Sequence, residues 1–361
     1  MPTLERILMG PGPCNPYPQA TEALARPILG HLDPEFLAIL DETCDGLRTV
    51  FRTSNRRTLP VSGTGSAGME AALVNFVGPG DTVVVAVNGL FGARMCDVAE
   101  RCGATVVPVE APWGTPVDPG AVADAAARHR PKVIAAVHAE TSTGVRNDIA
   151  AIAAAKGDAL VLMDCVTSLG GIPVEVDGWE VDIAYSGTQK CLGVPPGLAP
   201  LTVGERAWER RLPRPQSWYL DLGMIGDYTS GATRKYHHTA PVAMVASLHG
   251  GLTAILEEGL DAAQERHGRC GDALQDGLER MGLSLFAEQG SRLPELTTVW
   301  VPEGVDGAAV RRALLDRFSI EIGGGVGEFA ATVWRIGCMG HTARERNVTL
   351  LLAALAELLG R

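Results

Sequence analysis

The residues best suited to chemistry in this sequence are an acid and a lysine, Asp164 and Lys190. Asp164 ends the apolar run LVLMD, where a charge is costly unless it is paired. Lys190 follows the residues Ser-Gly-Thr-Gln, just after another apolar run. Pyridoxal phosphate needs such a pair, because a lysine bonds its aldehyde and an acid keeps its pyridine nitrogen protonated. A helix-capping aspartate and a solvated lysine would give the same sequence, so both alternatives stay open here.

A glycine-rich turn at Gly63–Gly68 (GTGSAG) has the GxGxxG spacing of dinucleotide-binding turns. That fold requires a firm strand before the turn and an acid at the end of the next strand. Here the preceding run contains Pro60 and the next run ends in Asn88, which argues against nicotinamide binding. A turn that opens a helix can still bind phosphate, because its unpaired N–H groups point at the anion. The alternative is a structural turn in which Ser66 only caps the helix.

Three further positions could belong to the same site. Arg335 lies in the apolar stretch VWRIG and suits a bidentate clamp for a carboxylate, although an interdomain salt bridge is the alternative. Phe91 is by default a core side chain, but beside a cofactor its ring would stack on the pyridine. The adjacent His237 and His238 would point apart on a strand or turn, so no metal site is predicted.

The composition indicates a soluble protein and disfavours several classes of partner. The 31 basic and 42 acidic residues give a net charge of −11, and no run of Lys and Arg forms a stripe. Nucleic acid and anionic membranes are therefore not expected as partners. No apolar stretch reaches the roughly 18 residues of a spanning helix, and the N-terminus does not resemble a leader, so we expect a cytoplasmic protein. The 8 cysteines show no CxxC or zinc spacing and are expected to be reduced and mostly buried.

Strand-like and helix-like runs alternate in the first part of the chain. The strand-like runs are Thr82–Asn88, Ala104–Glu110, Lys132–His138, Ala159–Asp164, Asp182–Ser186 and Leu198–Gly204. Helix-like, Ala-rich runs lie between them at Ala67–Val77, Gly92–Cys102, Gly120–His129 and Asp148–Lys156. The strands are apolar on both faces, which predicts an α/β fold with a mostly parallel sheet flanked by helices. Asp164 and Lys190 would then lie at the carboxyl edge of the sheet, where ligands bind.

The pattern changes after Ala240, which predicts a smaller second α/β domain. Helices are expected through Glu258, then at Asp261–Met281, Asp306–Phe318 and Arg344–Leu359, with strands at Leu283–Phe286, Thr297–Val301 and Thr332–Ile336. The proline-rich stretch Gly10–Tyr17 cannot be helical and should form an extended arm. The predicted division is an arm at 1–20, a large domain at 21–258 and a small domain at 259–361.

Taken together, these stretches resemble the class V aminotransferases, most closely the alanine–glyoxylate and serine–glyoxylate (serine–pyruvate) branch. The matching motifs span nearly the whole chain: GPGP at Gly10–Pro13, SGTGSAGMEAAL at Ser62–Leu73, HAETSTGV at His138–Val145, DCVTSLGG at Asp164–Gly171, YSGTQKCLGVPPG at Tyr185–Gly197, YHHTAPV at Tyr236–Val242 and WRIGCMG at Trp334–Gly340. The resemblance implies the pyridoxal-phosphate-dependent transferase fold of type I, pyridoxal 5'-phosphate as cofactor, and small amino-acid and keto-acid substrates. It also implies a homodimer whose subunits share each active site.

The resemblance assigns roles to individual positions. Lys190 would form the Schiff base and move the proton, Asp164 would hold the pyridine nitrogen, and Phe91 would stack on the ring. Thr141 would touch the ring hydroxyl, and Arg335 would bind the substrate carboxylate. The remaining positions would line the pocket or hold the cofactor, the last two from the second subunit: Gly12, Gly65, Ser66, Ala67, Val166, Gln189, Tyr236 and Thr239.

Departures from the family pattern bear on the substrate. Thr64 and Ser66 stand where some relatives carry serine and histidine, but both keep donors for a phosphate. Ureidoglycine–glyoxylate enzymes share this scaffold and would carry glutamine at His31 and asparagine in the stretch matching YHHT. His31 and His238 therefore favour alanine or serine as the amino donor, without choosing between them. A cysteine desulfurase would need a nucleophilic cysteine in a mobile Ser/Gly-rich loop, which this sequence lacks, and a nicotinamide dehydrogenase is the remaining alternative.

Overall fold

A seven-stranded mixed sheet forms the centre of the larger part of the molecule. The computed structural model describes residues 5–229 and 233–361, and the strands of this sheet are β1 (Arg57–Ser62), β2 (Thr82–Val87), β3 (Thr105–Glu110), β4 (Val133–Val137), β5 (Leu160–Asp164), β6 (Ile183–Tyr185) and β7 (Leu198–Val203). Their order is β1-β7-β6-β5-β4-β2-β3. Strand β7 runs antiparallel to both neighbours, and the other pairs are parallel. The predicted α/β class with a mostly parallel sheet is confirmed.

Strand β1 corrects one interpretation of the sequence, because the run before the glycine-rich turn is a strand despite Pro60. It lies at the edge of the sheet, where Pro60 is opposite Pro200 of β7. Two prolines can face each other at a position where the ladder needs no N–H donor, and an edge strand leaves one side free of hydrogen bonds.

Helices pack around this sheet close to the positions expected from the sequence. Their bounds are Pro18–Leu24, Pro34–Phe51, Gly65–Val74, Leu90–Arg101, Pro119–His129, Ile149–Ala154, Glu205–Glu209, Leu222–Thr229 and Val242–Glu258. Strands β4 and β5 are buried along their whole length, as a sheet covered on both faces requires. Aspartate side chains cap several of these helices; Asp118 accepts from the N–H of Gly120 and Asp148 from that of Ala151.

A second core lies beneath the C-terminal elements. It is formed by the helices Leu260–Arg280, Gly307–Phe318 and Glu345–Leu359 and by a three-stranded antiparallel sheet of Leu296–Trp300, Val333–Gly337 and Gly323–Gly324. The predicted strand at Leu283–Phe286 is wrong, since only an isolated bridge joins Leu285 to Val299. Glycine and methionine at Met281–Gly282 form a turn there, and the segment is too short to extend the pairing.

The N-terminal arm crosses between the two cores. Ile7–Leu8 pairs with Ile320–Glu321, Met9 packs into the C-terminal core, and Tyr17 packs into the core of the large sheet. Gly10–Tyr17 is extended as expected, but a helix already begins at Pro18, inside the predicted arm 1–20. The domain boundaries at 20/21 and 258/259 stay a prediction. In the described part of the chain, no helix is long and apolar enough to cross a membrane.

Candidate active site

Lys190 lies just beyond strand β6, and its side chain is buried against the N-terminal arm. Nζ donates a hydrogen bond to the backbone oxygen of Pro11. Gly12 lies against the same side chain with φ +109°, and a Cβ at that position would be 2.5 Å from Nζ. Burial, together with the positive charge of Arg335, lowers the pKa of Lys190 to about 8. The amine therefore has a much larger neutral fraction at pH 7 than a solvated lysine has.

Lys190 also differs from the other three lysines of the chain. Lys132, Lys156 and Lys235 each form an ion pair with a carboxylate, over 2.8, 2.9 and 3.2 Å respectively. Lys190 is the buried one of the four, and no carboxylate pairs with it in the described residues. The solvated-lysine alternative is therefore wrong, and a buried amine without an ion-pair partner marks a candidate reaction site.

Asp164 lies at the carboxyl end of β5, directly opposite Tyr185 of β6 in the sheet register. Tyr185 donates its hydroxyl to Oδ2 over 2.6 Å, and the N–H of Val166 donates to Oδ1 over 2.8 Å. Burial raises the pKa of Asp164 to about 6, while these two hydrogen bonds and the charge of Lys190 act in the opposite direction. The aspartate is a buried, oriented carboxylate at neutral pH. The surface-charge and helix-cap alternatives are wrong.

The glycine-rich turn opens a helix, as phosphate binding requires. The helix begins at Gly65, and its N-cap residue Thr64 makes no side-chain cap hydrogen bond. Ser66 lies inside the first turn, so the interpretation that Ser66 only caps the helix is wrong. In the described residues, no hydrogen bond engages the backbone N–H groups of Gly65 and Ser66, whereas that of Ala67 donates to the Thr64 oxygen over 2.8 Å. Two donors at a helix N-terminus are therefore open to an anion.

Val166 and Gln189 lie at the same turn. A Cβ at Gly65 would be 3.1 Å from Cγ2 of Val166, so the residue after Asp164 touches the start of the helix. Gln189 precedes the lysine, and its Oε1 is buried with no hydrogen-bond partner in the described part of the chain. A buried amide with an unsatisfied atom is costly, and a bound polar group would remove that cost.

Phe91 is held in place by a carboxylate that the sequence analysis missed. Glu140 is fully buried, and its Oε2 accepts from the N–H groups of Phe91 and Gly92 over 3.0 and 3.3 Å. Its Oε1 accepts from Ser142, over 3.0 Å from N–H and 2.5 Å from the hydroxyl. A carboxylate at a helix N-terminus is favourable, and this one fixes the first turn of Leu90–Arg101. Phe91 is half-buried and not a core side chain.

Arg335 joins the C-terminal part of the chain to the large sheet without an ion pair among the described residues. Nε donates to the oxygen of Gly324 over 2.7 Å, and Nη1 donates to the oxygen of Thr141 over 3.4 Å. The interdomain salt bridge is therefore wrong. Burial lowers the pKa of Arg335, although the group stays charged at neutral pH. A partly desolvated guanidinium beside Lys190 is available for a carboxylate.

Tyr236 and Thr239 lie on the surface, within a cluster of rings that we call the aromatic patch: His31, Trp218, Tyr219, Tyr236, His237 and His238. Tyr236 is 59% exposed, its ring lies 5.4 Å from that of His31, and its hydroxyl lies 3.3 Å from Oγ1 of Thr239. No printed contact joins either residue to Lys190 or Asp164 of the same chain. Both would have to act on a second subunit, as the family resemblance implies.

A chain of hydrogen bonds ties the aromatic patch to the strand that enters the glycine-rich turn. His237 Nε2 must donate to the Trp218 oxygen, because a carbonyl only accepts. The two Nδ1 atoms of His237 and His238 are 2.8 Å apart, so in the neutral pair His238 donates there. His238 Nε2 then accepts from the hydroxyl of Ser62 at 2.8 Å. Neighbouring histidines are thus engaged with each other, and no metal cluster occurs among the described residues.

Comparison with known proteins identifies the family. A family model, Aminotransferase class-V, matches residues 15–343. The chain belongs to this family. An alanine–glyoxylate aminotransferase of Drosophila melanogaster is 39% identical and covers 98% of this class-V aminotransferase and 92% of its own length. The (S)-ureidoglycine–glyoxylate transaminase of Bacillus subtilis is also 39% identical, covering 99% of this chain and 91% of its own length.

Solved structures agree with the family assignment. The alanine–glyoxylate aminotransferase from Nostoc sp. superposes with a TM-score of 0.97 at 45% identity, covering 99% of this chain and 96% of that one. The ureidoglycine–glyoxylate aminotransferase from Bacillus subtilis has the same TM-score at 41% identity, covering 100% of this chain and 94% of that one. The fold is therefore that of the fold-type-I transferases, a group that depends on pyridoxal phosphate.

Sequence reasoning missed three residues of this site. Tyr185 was hidden in an apolar run, although its position at the start of the YSGTQK motif was a signal. Glu140 lies in HAETSTGV and looked like a surface charge, because its partners are backbone N–H groups distant in sequence. Arg94 lies one helical turn after Phe91 and donates toward Ser66 over 3.4 Å, a contact that no spacing in the sequence indicates.

Proposed function

We propose that this class-V aminotransferase holds pyridoxal 5'-phosphate on Lys190 and moves an amino group from alanine or serine to glyoxylate, giving glycine and a keto acid in two half-reactions. The observation that supports this most is the buried, unpaired amine of Lys190 between the oriented carboxylate of Asp164 and the clamp of Arg335. The open N–H groups at Gly65 and Ser66 and the unsatisfied amide of Gln189 fit the phosphate end of that cofactor.

Lys190 would act as nucleophile and proton carrier at one atom, Nζ. When bound, pyridoxal phosphate supplies an aldehyde for amines and a ring that accepts electrons. Burial and Arg335 hold the pKa of Lys190 near 8, so Nζ can accept a proton from the substrate carbon and return it without a large energy cost. The hydrogen bond to the Pro11 oxygen orients Nζ, and the absence of a Cβ at Gly12 keeps the space beside it open.

Asp164 and Arg335 would fix the two ends of the reacting system. Asp164, oriented by Tyr185 and Val166, keeps a negative charge in a buried place and so favours a proton on a ring nitrogen that faces it. Arg335 would bind the substrate carboxylate, and Thr141, whose oxygen it already contacts, would bring its hydroxyl to the cofactor ring.

The amino donor is proposed from His31 and His238. Both lie in the aromatic patch, His31 against Tyr236 and His238 two residues further along the chain. Relatives named for alanine–glyoxylate and for ureidoglycine–glyoxylate transfer are equally similar to this chain, at 39% identity. Transamination of ureidoglycine is therefore the second candidate, disfavoured by histidine where glutamine and asparagine are expected.

A homodimer would complete each site. Ile28, Trp218 and Tyr236 are 78%, 61% and 59% exposed, which is unusual for side chains of this size and indicates a covered face. We propose that a second copy covers it and that Tyr236 and Thr239 reach the partner's phosphate. The same proposal expects a monomer to bind the cofactor poorly. The cytoplasmic location stays a prediction from the sequence.

A donor screen tests the reaction. Purified protein loaded with pyridoxal phosphate would be mixed with alanine, serine or (S)-ureidoglycine, and conversion of the cofactor to its amine form followed by absorbance; glyoxylate is then added. We expect alanine or serine to convert the cofactor and glyoxylate to restore it. Lys190→Ala should abolish both steps, whereas Lys156→Ala, which only breaks a surface ion pair, should not. Conversion by ureidoglycine alone would move the assignment to the second candidate.

A further inference from the structure

One cation lies beside the phosphate turn without an assigned task. Arg94 is half-buried on the helix Leu90–Arg101, one turn after Phe91. Its guanidinium carbon lies 4.8 Å from the centroid of the Phe91 ring, and its Nη1 donates to Oγ of Ser66 over 3.4 Å. The side chain is therefore held over the stacking ring with its donors directed to the start of the helix at Gly65.

The rest of this turn carries no charged side chain. Gly65, Ser66, Ala67, Val166 and Gln189 are all uncharged, as are the two residues expected from the second subunit, Tyr236 and Thr239. A helix N-terminus supplies only about half an elementary charge, whereas a phosphate monoester carries up to about two negative charges at pH 7. A neutral cup of this kind leaves most of the phosphate charge without compensation.

Arg94 is free to supply that charge. Arg101, on the same helix, forms an ion pair with Asp97 at 3.0 Å, but Arg94 pairs with no carboxylate among the described residues. The buried Asp164 nevertheless feels its charge, because Arg94 lowers the pKa of that carboxyl. The guanidinium thus lies near the cofactor site, and its remaining N–H groups can bind two phosphate oxygens in the planar geometry that arginine prefers.

We propose that Arg94 binds the phosphate of the cofactor and supplies its main positive partner within the subunit. The inference rests on the proposed function, because it assumes that the phosphate lies at Gly65–Ser66. Ser66 and Phe91 place the guanidinium before the cofactor arrives: the hydroxyl directs Nη1, and the ring supports the flat face of the group. The ligand class is a phosphate monoester, and a cofactor without phosphate should not sense Arg94.

Dissociation constants of two probes separate this role from a general effect on folding. Pyridoxal phosphate and pyridoxal would be titrated into cofactor-free wild type, Arg94→Gln, Arg94→Lys and the matched control Arg101→Gln, with binding followed by quenching of tryptophan fluorescence. Arg94→Gln should weaken pyridoxal phosphate about 10- to 100-fold, since a charged hydrogen-bonding partner is lost, and change pyridoxal by less than about 2-fold. Arg94→Lys should recover part of the loss, and Arg101→Gln should match wild type.

Two results would overturn the proposal. Unchanged affinity of Arg94→Gln for pyridoxal phosphate would show that the phosphate does not use this cation. An equal loss for both probes would show that Arg94 acts through Phe91 or through the fold. Failure of the proposed function is distinguishable, because then the wild type would itself bind pyridoxal phosphate no better than pyridoxal.

Discussion

Glu295 is predicted to destabilise the protein at neutral pH, and its removal should stabilise it. The residue precedes the strand Leu296–Trp300 and is completely buried, and neither carboxylate oxygen has a hydrogen-bond partner in the described part of the chain. Cys191 and Gly171 lie beside it, and the charge of Arg146 acts on it only weakly. An uncompensated buried carboxyl should be protonated in the folded state.

The magnitude follows from the shift in pKa. Burial raises the pKa of Glu295 from 4.5 to about 8, so the folded protein holds a proton that the unfolded chain has released. Stability from this group is complete below pH 4.5 and is lost as the pH rises toward 8. At pH 7 the loss is roughly 1.36 kcal/mol for each of about 2.5 pH units, or about 3 kcal/mol as an upper value.

Glu295→Met tests this, because methionine has a similar volume and needs no partner. Denaturant unfolding of wild type and variant would be compared from pH 5 to 8 at fixed protein and cofactor concentrations. The variant should be the more stable at pH 7, and its advantage should shrink toward pH 5. Glu303→Met, at an exposed turn, serves as the control and should show no such slope. An advantage independent of pH, or a less stable variant at pH 7, would refute the reasoning.

Three further predictions concern the site. Asp164→Asn should keep the cofactor attached but lower turnover on the order of 10²-fold or more, because the amide cannot hold a proton on the ring nitrogen; near-normal turnover would contradict the role. Gly12→Ala should leave folding intact but weaken cofactor attachment, since its Cβ would lie 2.5 Å from Nζ of Lys190 and φ is +109°; unchanged binding would show that the arm moves freely. Attachment of the cofactor to the cofactor-free protein should accelerate with rising pH around a midpoint near 8, the pKa of Lys190, as measured by stopped-flow absorbance; a midpoint above 10 would exclude a depressed lysine.

The sheet was predictable because its signal is local. Six of its strands were expected within a residue or two of their bounds, since apolar runs bounded by turns carry that information in the sequence. Strand β1 was misjudged because the effect of Pro60 depends on its position at the sheet edge. Leu283–Phe286 has strand-like residues, but whether it pairs depends on the length of its partner Leu296–Trp300.

The site was predictable in its motifs and not in its contacts. Asp164 and Lys190 could be chosen from the sequence because strand ends meet at one edge of a parallel sheet. Tyr185, Glu140 and Arg94 could not, because their roles arise from cross-strand register and from backbone donors that lie far away in sequence. The use of Tyr236 and Thr239 depends on a second subunit and so on a surface that no periodicity describes.

The location of the cofactor is the central claim, and covalent trapping tests it most directly. Wild-type protein incubated with pyridoxal phosphate would be reduced with borohydride, digested and analysed by mass spectrometry; the chain has only four lysines, so every candidate peptide can be followed. We predict one modified lysine, Lys190, carrying the mass of the reduced cofactor, and no modification in Lys190→Ala. Modification at Lys132, Lys156 or Lys235, or an unmodified Lys190, would contradict the account.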